Sequence, residues 1–169
     1  MQPFNSERLS YRPYRRSDAA AAFAFFGDAE VMKYSAFGVH HTIERTVEML
    51  AGLIAHHQRR GFGFWAVVER ETDELIGMAG LADLEEDGDM ELAYRLRRDR
   101  WGRGYATEAA TAWVAKGFDL LNLSRIVAIV EPDQAVSKHI LEKLGLAFVE
   151  QRTYHGKLVD YMVLERPLC

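Results

Sequence analysis

The spacing of apolar residues at the start of the chain predicts a short strand followed by a helix. The stretch Leu9–Arg12 ends at Pro13, which favours an edge strand because proline cannot donate a hydrogen bond to a neighbouring strand. The serine and aspartate at 17–18 offer side-chain oxygens that cap a helix over Ala19–Phe26, and Gly27 is placed to end it.

A second helix is predicted to start near Thr42, because apolar residues recur at helical spacing from there towards Gly61. These apolar positions are Ile43, Val47, Leu50 and Ile54. From Phe62 the pattern changes to runs rich in aromatic and β-branched residues, namely FGFWAVVER, LIGMAGLADL and MELAYRL, joined by short polar segments. Three such runs predict an antiparallel meander.

The C-terminal half alternates helices and strands. An arginine- and glycine-rich stretch leads into an alanine-rich helix that ends about Leu121, and SRIVAIV follows as a buried strand. A helix is predicted over 135–144 and a hairpin over 148–164, with its turn at the His-Gly pair 155–156. The predicted order is βααβββαβαββ, a mixed arrangement of the α+β (mixed α/β) class with helices packed on the faces of one sheet.

Composition and charge narrow the classes of protein. The chain has 169 residues, 49% of them hydrophobic, which predicts a single domain over 1–169 with one ordinary core. A formal charge of -4 argues against general binding to nucleic acid, which needs a dominant basic face. A single cysteine, Cys169, excludes an intramolecular disulfide, and the absence of a long apolar run predicts a cytoplasmic protein without a membrane span.

Five arginines lie within nine residues, just before and inside the sequence WGRGYA, where the alanine-rich helix begins. They are Arg95, Arg97, Arg98, Arg100 and Arg103. The first turn of a helix has unpaired N–H groups and a partial positive charge, and Gly102 and Gly104 let an anion approach those groups closely. A diphosphate suits such a site, although an arginine run also occurs on solvated faces and G-x-G also marks tight turns. The Walker A pattern and the dinucleotide fingerprint both fail on these residues.

The segment WGRGYATEA at 101–109 resembles the acetyl-CoA pyrophosphate loop of the GNAT superfamily of N-acetyltransferases, and is most similar to the RimJ/RimL branch. The segments SERLSYRPYRRSDA, LIGMAGL, SKHILEKLGL and HGKLVDYMVLERPL match that branch in order and spacing. The resemblance implies the GNAT fold, with a central, mostly antiparallel sheet and helices on both faces. It also implies acetyl-CoA as co-substrate.

The resemblance implies which residues contact coenzyme A. The exposed backbone of Tyr94, Arg95 and Leu96 would bind the pantetheine arm, and the pyrophosphate would lie on the backbone amides of the loop. Those amides belong to Gly102, Arg103, Gly104, Tyr105, Ala106 and Thr107. Gln134 and Ser137 align with the usual Asn-x-x-Ser at the start of the next helix, whereas Trp101 departs from the usual Gln or Arg.

Two residues are candidates for proton transfer. Glu91 would take the proton of the attacking amine, although a structural pair with Arg95 is the alternative. Ser137 would protonate the CoA thiolate, although a helix-surface serine also bonds its own backbone. Leu141 occupies the position at which many superfamily members have a tyrosine acid.

Aromatic residues are candidates for the acceptor pocket, because the resemblance implies that the two early helices and their loops wall it. These candidates are Tyr34, Phe37 and Trp65. Aromatic residues at such spacing also occur in cores. The histidines do not form a pattern suited to a metal site.

The function predicted is transfer of an acetyl group to a primary amine by direct attack in a ternary complex. The acceptor is left open between a protein N-terminal amine and a small-molecule amine, and the acidic turn at 85–89 favours a cationic one. A catalytically weak acyl-CoA-binding or sensing module is the alternative. Neither nucleic acid nor a membrane is expected as a partner, and a homodimer is left open.

Overall fold

The computed structural model describes residues 1–84 and 88–167. Its strands are β1 (Phe4–Asn5), β2 (Leu9–Arg12), β3 (Phe64–Glu69), β4 (Glu74–Leu84), β5 (Asp89–Leu96), β6 (Arg125–Val130), β7 (Ala147–Tyr154) and β8 (Lys157–Glu165). Its helices are α1 (Ala19–Phe26), α2 (Ala29–Met32), α3 (Ile43–Arg60), α4 (Tyr105–Asp119) and α5 (Ala135–Lys143). Two 3-10 turns, Arg16–Asp18 and Arg98–Arg100, precede α1 and the loop before α4.

The strands form one sheet in the order β1-β2-β3-β4-β5-β6-β8-β7. All neighbouring pairs are antiparallel except β5 and β6, which run parallel. The predicted mixed fold with a mostly antiparallel sheet is confirmed. The edge position predicted for β2 is wrong, because the two-residue strand β1 pairs with its outer side.

Helices cover both faces of the sheet. Cluster 1 of the core contains Trp113 of α4 and Leu141 of α5 with residues such as Trp65 and Leu92 of the sheet. Cluster 2 contains residues of α1, α2 and α3 packed against the other side of β3 and β4. We name these sides the α4–α5 face and the α1–α3 face. Among the described residues, none of the helices is long and apolar enough to cross a membrane.

Local sequence explains where the helices begin and end. The Thr42 hydroxyl accepts a hydrogen bond from the backbone N–H of Arg45, and Gly61 ends α3 with φ of 75°. The cap predicted at 17–18 for α1 is wrong, because the Asp18 carboxylate binds the Arg12 guanidinium and the Arg15 N–H instead.

Candidate active site

Strands β5 and β6 separate soon after they meet. They pair at Glu91 and Val127, and within the described residues no further pair joins them. Tyr94, Arg95 and Leu96 are still held on their other side by β4, which reaches Gly77 opposite Leu96. Their edge towards β6 is therefore unpaired backbone, the feature on which the predicted pantetheine contact depends. We call the opening between the two strands the β5–β6 cleft.

A glycine loop, residues 101–104, joins the end of β5 to α4. Gly102 and Gly104 have φ of 73° and 78°, the left-handed conformation that side chains disfavour. The Trp101 indole N–H donates to the Leu96 carbonyl at 2.9 Å, so the loop closes on the end of β5 while half of the Trp101 side chain stays exposed. The first turn of α4, with its unpaired N–H groups, therefore follows directly on a loop that is fixed to the end of β5.

A buried carboxylate fixes the start of α4 to the sheet. Glu69 of β3 is 3% exposed and accepts hydrogen bonds from the Tyr105 hydroxyl at 2.7 Å and the Thr72 hydroxyl at 2.7 Å. The Arg100 Nε atom donates to it at 3.3 Å. The Tyr105 and Thr72 hydrogen bonds lower the pKa of Glu69, so it stays ionised at neutral pH. No sequence signal pointed to this anchor, because Glu69 and Tyr105 are 36 residues apart.

A second carboxylate holds the same turn from the N-terminal segment. Glu108 accepts hydrogen bonds from the Ser6 hydroxyl at 2.6 Å and from the backbone N–H and Nε of Arg8, both at 2.7 Å. Arg8 also donates to the Arg103 carbonyl at 2.9 Å. No local sequence pattern indicates the partners of Glu108 at 6 and 8, because they lie 102 and 100 residues away along the chain.

The arginine cluster is less available to an anion than its sequence predicts. Three of the five side chains pair with carboxylates: Arg97 with Glu74 and Asp99, Arg98 with Asp28, and Arg100 with Glu69, Glu74 and Asp99. Arg103 is exposed and makes no ion pair with a described residue. The expectation that the arginine cluster as a whole serves a diphosphate site is therefore corrected, because three of its side chains are paired elsewhere. Of the five, Arg103 is the side chain that lies on the glycine loop without an ion pair to a described residue.

Glu91 and Arg95 lie on the α1–α3 face of β5. Leu92, Tyr94 and Leu96 pack with cluster 1 on the opposite face, so the alternation of the strand turns Glu91, Ala93 and Arg95 the other way.

Burial raises the pKa of Glu91 to about 7, and the nearby charge of Arg95 opposes that rise. No ion pair within 4 Å joins these two described side chains. With a pKa of about 7, the Glu91 carboxyl can exchange a proton near neutral pH.

Helix α5 approaches β5 across the β5–β6 cleft. The Tyr94 hydroxyl donates to the Ser137 carbonyl at 3.4 Å, and burial raises the pKa of Tyr94 to about 12. The Gln134 amide nitrogen donates to the Ser137 Oγ atom at 2.9 Å, which leaves the Ser137 hydroxyl hydrogen for another acceptor. Leu141 is buried in cluster 1 and carries no polar group to the cleft.

The three aromatic candidates for the acceptor pocket lie in different places. Tyr34 follows α2, and its hydroxyl lies 3.4 Å from the carboxylate of Asp133, in the loop before α5. Phe37 lies a few residues further on and is 53% exposed. The prediction for Trp65 is wrong, since this side chain is fully buried on the α4–α5 face against Trp113.

The acidic turn that favoured a cationic acceptor gives little support to it. Glu85, Glu86 and Asp87 lie outside the described residues. Asp89 is buried and occupied by the Arg125 guanidinium at 2.7 and 2.9 Å and by the Tyr161 hydroxyl. Across residues 1–84 and 88–167, no group of three or more histidine, cysteine or acidic side chains is arranged to hold a metal ion.

Comparison with known proteins identifies a family for this arrangement. Residues 8–147 match the family described as the acetyltransferase (GNAT) domain. The chain is 33% identical over 170 residues to the uncharacterized N-acetyltransferase p20 of Bacillus licheniformis. The aligned region covers 95% of this chain and 93% of that protein.

Solved structures share the fold. A GNAT-family acetyltransferase from Bacillus anthracis superposes with a TM-score of 0.83 at 24% identity, covering 96% of this chain and 98% of that one. Spermidine N-acetyltransferase from Vibrio cholerae, solved in complex with CoA and spermine, superposes with a TM-score of 0.78 at 17% identity, covering 95% of this chain and 96% of that one.

Proposed function

Because the chain belongs to the GNAT family and is an N-acetyltransferase, we propose that it transfers the acetyl group of acetyl-CoA to a primary amine by direct attack in a ternary complex. One domain, residues 1–169, would carry both substrates. The observation that carries the proposal is the glycine loop, which opens a 15-residue helix beside an unpaired strand edge. A related fold holds CoA in the spermidine acetyltransferase complex.

The glycine loop and the unpaired edge of β5 bind different parts of acetyl-CoA. The amides from Gly102 to Thr107 bind the pyrophosphate, helped by the positive end of α4. Glu69 and Glu108 hold the first turn of α4 in place for that contact, and no step needs their protons. The pantetheine arm bonds the free backbone edge of Tyr94–Leu96, where a backbone N–H also stabilises the oxyanion of the thioester.

The chemical step makes a C–N bond and breaks a C–S bond. The amine nitrogen attacks the thioester carbonyl, and its proton passes to the Glu91 carboxylate, directly or through a water. The leaving CoA thiolate takes the proton of the Ser137 hydroxyl, which solvent then replaces. The Gln134 amide supports this role, since its hydrogen bond to Ser137 Oγ leaves the hydroxyl hydrogen free to donate.

The experiment that tests this function measures thiol release from acetyl-CoA with a panel of amines, peptides and polyamines. Mass spectrometry identifies the acetylated nitrogen, and reactions without an amine give the rate of hydrolysis. We expect release that depends on the amine and saturates with acetyl-CoA. Tight CoA binding without amine-dependent release across the panel would overturn transfer and favour the acyl-CoA-binding module.

A further inference from the structure

Among the described residues, Arg95 is a cation without an ion-pair partner. Its Nη1 atom is buried and has no hydrogen-bond partner. In the part of the chain that the structure describes, no carboxylate lies within ion-pair distance of its guanidinium. Arginine is rarely buried unless it is paired, because an uncompensated charge loses the solvation of water. The described part of the chain therefore supplies no ion-pair partner for this side chain, which leaves it free to bind an anion.

The neighbours of Arg95 do not offset this charge. Tyr14 is protonated, because burial raises its pKa, and its hydroxyl donates to the Gly77 carbonyl. His40 is buried and, with its pKa lowered by burial and by the charges of Arg45 and Arg95, is neutral at neutral pH. Its Nδ1 atom lies 2.9 Å from the Thr46 hydroxyl, while its Nε2 atom is buried without a partner.

Carboxylates on nearby elements are already paired with other cations. Asp18 binds Arg12, Asp28 binds Arg98, and Asp89 binds Arg125. Glu91, the acid on the same strand face, makes no ion pair with Arg95 and is the group with a pKa of about 7. Among the described side chains on this part of the α1–α3 face, the charge of Arg95 is therefore opposed only by the partly ionised Glu91.

The position of Arg95 connects this charge to the reaction. It lies in the half of β5 that has left β6, so its backbone borders the cleft and its side chain lies on the α1–α3 face. Glu91 precedes it by four residues on that face, and the Cα atoms of such a pair are about 13 Å apart along a strand. Ala93 lies between them on the same face of the strand.

We propose that the acceptor is an amine that also carries a carboxylate, and that Arg95 binds this carboxylate while the amine nitrogen lies towards Glu91. This inference rests on the proposed function and names its substrate class. The carboxylate belongs either to a free amino acid or to an acidic first residue of a peptide. A polyamine lacks the group that Arg95 binds and is therefore a poor acceptor.

The test compares acceptors in which one carboxyl group is either ionised or replaced by a neutral amide. The first arm pairs free α-amino acids with the corresponding amino acid amides. The second arm pairs peptides that begin with Asp or Glu with peptides that begin with Asn or Gln, and spermidine is included in both. Acceptor kcat/KM is measured by thiol release at saturating acetyl-CoA.

The wild-type enzyme is expected to prefer the acid of a pair by roughly ten- to hundredfold, the range of a charge-assisted hydrogen bond. The arm in which this preference appears identifies the source of the carboxylate. Arg95→Gln is expected to bring the ratio close to one, because glutamine lacks the charge that binds the carboxylate. Arg95→Lys is expected to keep part of the preference, since lysine retains the charge but not the planar fork.

Arg16→Gln is the matched control, because Arg16 is exposed on the turn before α1, and its acid-to-amide ratio should equal that of the wild type. Amides or spermidine preferred by the wild type would overturn the inference and leave the proposed function intact. Equal losses on both members of a pair in Arg95→Gln would also overturn it. If Arg95→Gln does not fold, the wild-type ratio and Arg95→Lys decide. No turnover of any amine would instead overturn the proposed function, and this inference with it.

Discussion

Two charged residues on one strand face differ in how burial acts on them. Glu91 and Arg95 both face the α1–α3 side, yet burial raises the pKa of Glu91 to about 7 and lowers that of Arg95 from a much higher ordinary value. Glu91 therefore changes its charge within the physiological range, whereas Arg95 stays positive. The pair provides a proton acceptor and a fixed cation that lie four residues apart along β5.

The first prediction concerns the pH dependence that Glu91 gives to the reaction. A general base works only when it is deprotonated, so kcat/KM is expected to rise with pH through a midpoint near 7. Glu91→Gln is expected to lose about 10²- to 10⁴-fold in rate and to lose this limb of the profile. Rates are measured by thiol release between about pH 5.5 and 9, a range that spans the titration of the buried Glu91 carboxyl.

Glu142→Gln serves as the control, because Glu142 is exposed on α5 and is predicted to leave the profile unchanged. A Glu91→Gln enzyme that keeps a limb near pH 7 would show that another group, or the amine itself, sets it. Circular dichroism of each variant checks that the fold is intact.

The sequence alone indicates that Glu91 and Arg95 share a face of their strand, but it does not indicate which residues surround them. Alternation along the strand places Glu91, Ala93 and Arg95 together, because that relation depends only on neighbouring residues. The partners of Arg98 and Arg100, at Asp28 and in β3, come from far along the chain. Those pairs depend on how the strands and helices pack, which no local pattern encodes.

At the scale of elements, the glycine loop depends on backbone conformation more than on side chains. Gly102 and Gly156 both have left-handed φ, 73° and 76°, and a Cβ atom added to either meets no other atom within 4 Å. Gly102 lies in the glycine loop, whereas Gly156 lies in the turn between β7 and β8. The two positions therefore share the same backbone demand, and only one of them belongs to the proposed CoA site.

The second prediction compares alanine substitutions at these two glycines. Gly102→Ala and Gly156→Ala are each expected to lower the free energy of unfolding by about 1–2 kcal/mol, the strain of a left-handed alanine. Only Gly102→Ala is expected to weaken CoA binding, by about five- to thirtyfold if the loop must leave its conformation to relieve that strain. Calorimetric titration with CoA and urea unfolding measure the two effects. Equal CoA affinity in both variants would remove Gly102 from the site.

Elements with a clear period were predicted closely, and the shortest ones were missed. The 18 residues of α3 show both caps and the helical repeat in the sequence, and α1 was predicted with its observed bounds. Strand β1 has two residues and α2 has four, too few for any repeat to be recognised. The parting of β5 from β6 leaves no local signature, because it depends on contacts of β6 with β8 and of α5 with β6.

For the whole molecule, hydrogen-bonded carboxyls determine how stability depends on pH. Hydrogen bonds from cationic or hydroxyl groups hold the pKa values of six carboxyls below their ordinary range. These carboxyls are Asp18, Glu69, Asp89, Asp99, Glu108 and Asp160. A carboxyl with a lower pKa in the folded state binds fewer protons there than in the unfolded state, so its stabilisation is lost as the pH falls below about 4. Glu91 acts in the opposite direction, because its raised pKa makes the folded state bind more protons between about 4.5 and 7.

The third prediction tests this dependence at Asp89, which joins β5 to β6 and β8 through Arg125 and Tyr161. Burial opposes ionisation of Asp89, but the hydrogen bonds from these two residues outweigh it and lower its pKa. Asp89→Asn is expected to lower the free energy of unfolding at pH 7 by about 1–3 kcal/mol, because buried donors lose a charged acceptor. The difference from the wild type should narrow as the pH falls below about 4, where the wild-type carboxyl also becomes neutral.

Urea unfolding across this pH range measures the difference in the free energy of unfolding. Glu71→Gln in the exposed β3–β4 turn is the control, whose difference from the wild type stays small. A gap for Asp89→Asn that stays constant with pH would mean that the side chain stabilises the sheet by its shape and not by its charge.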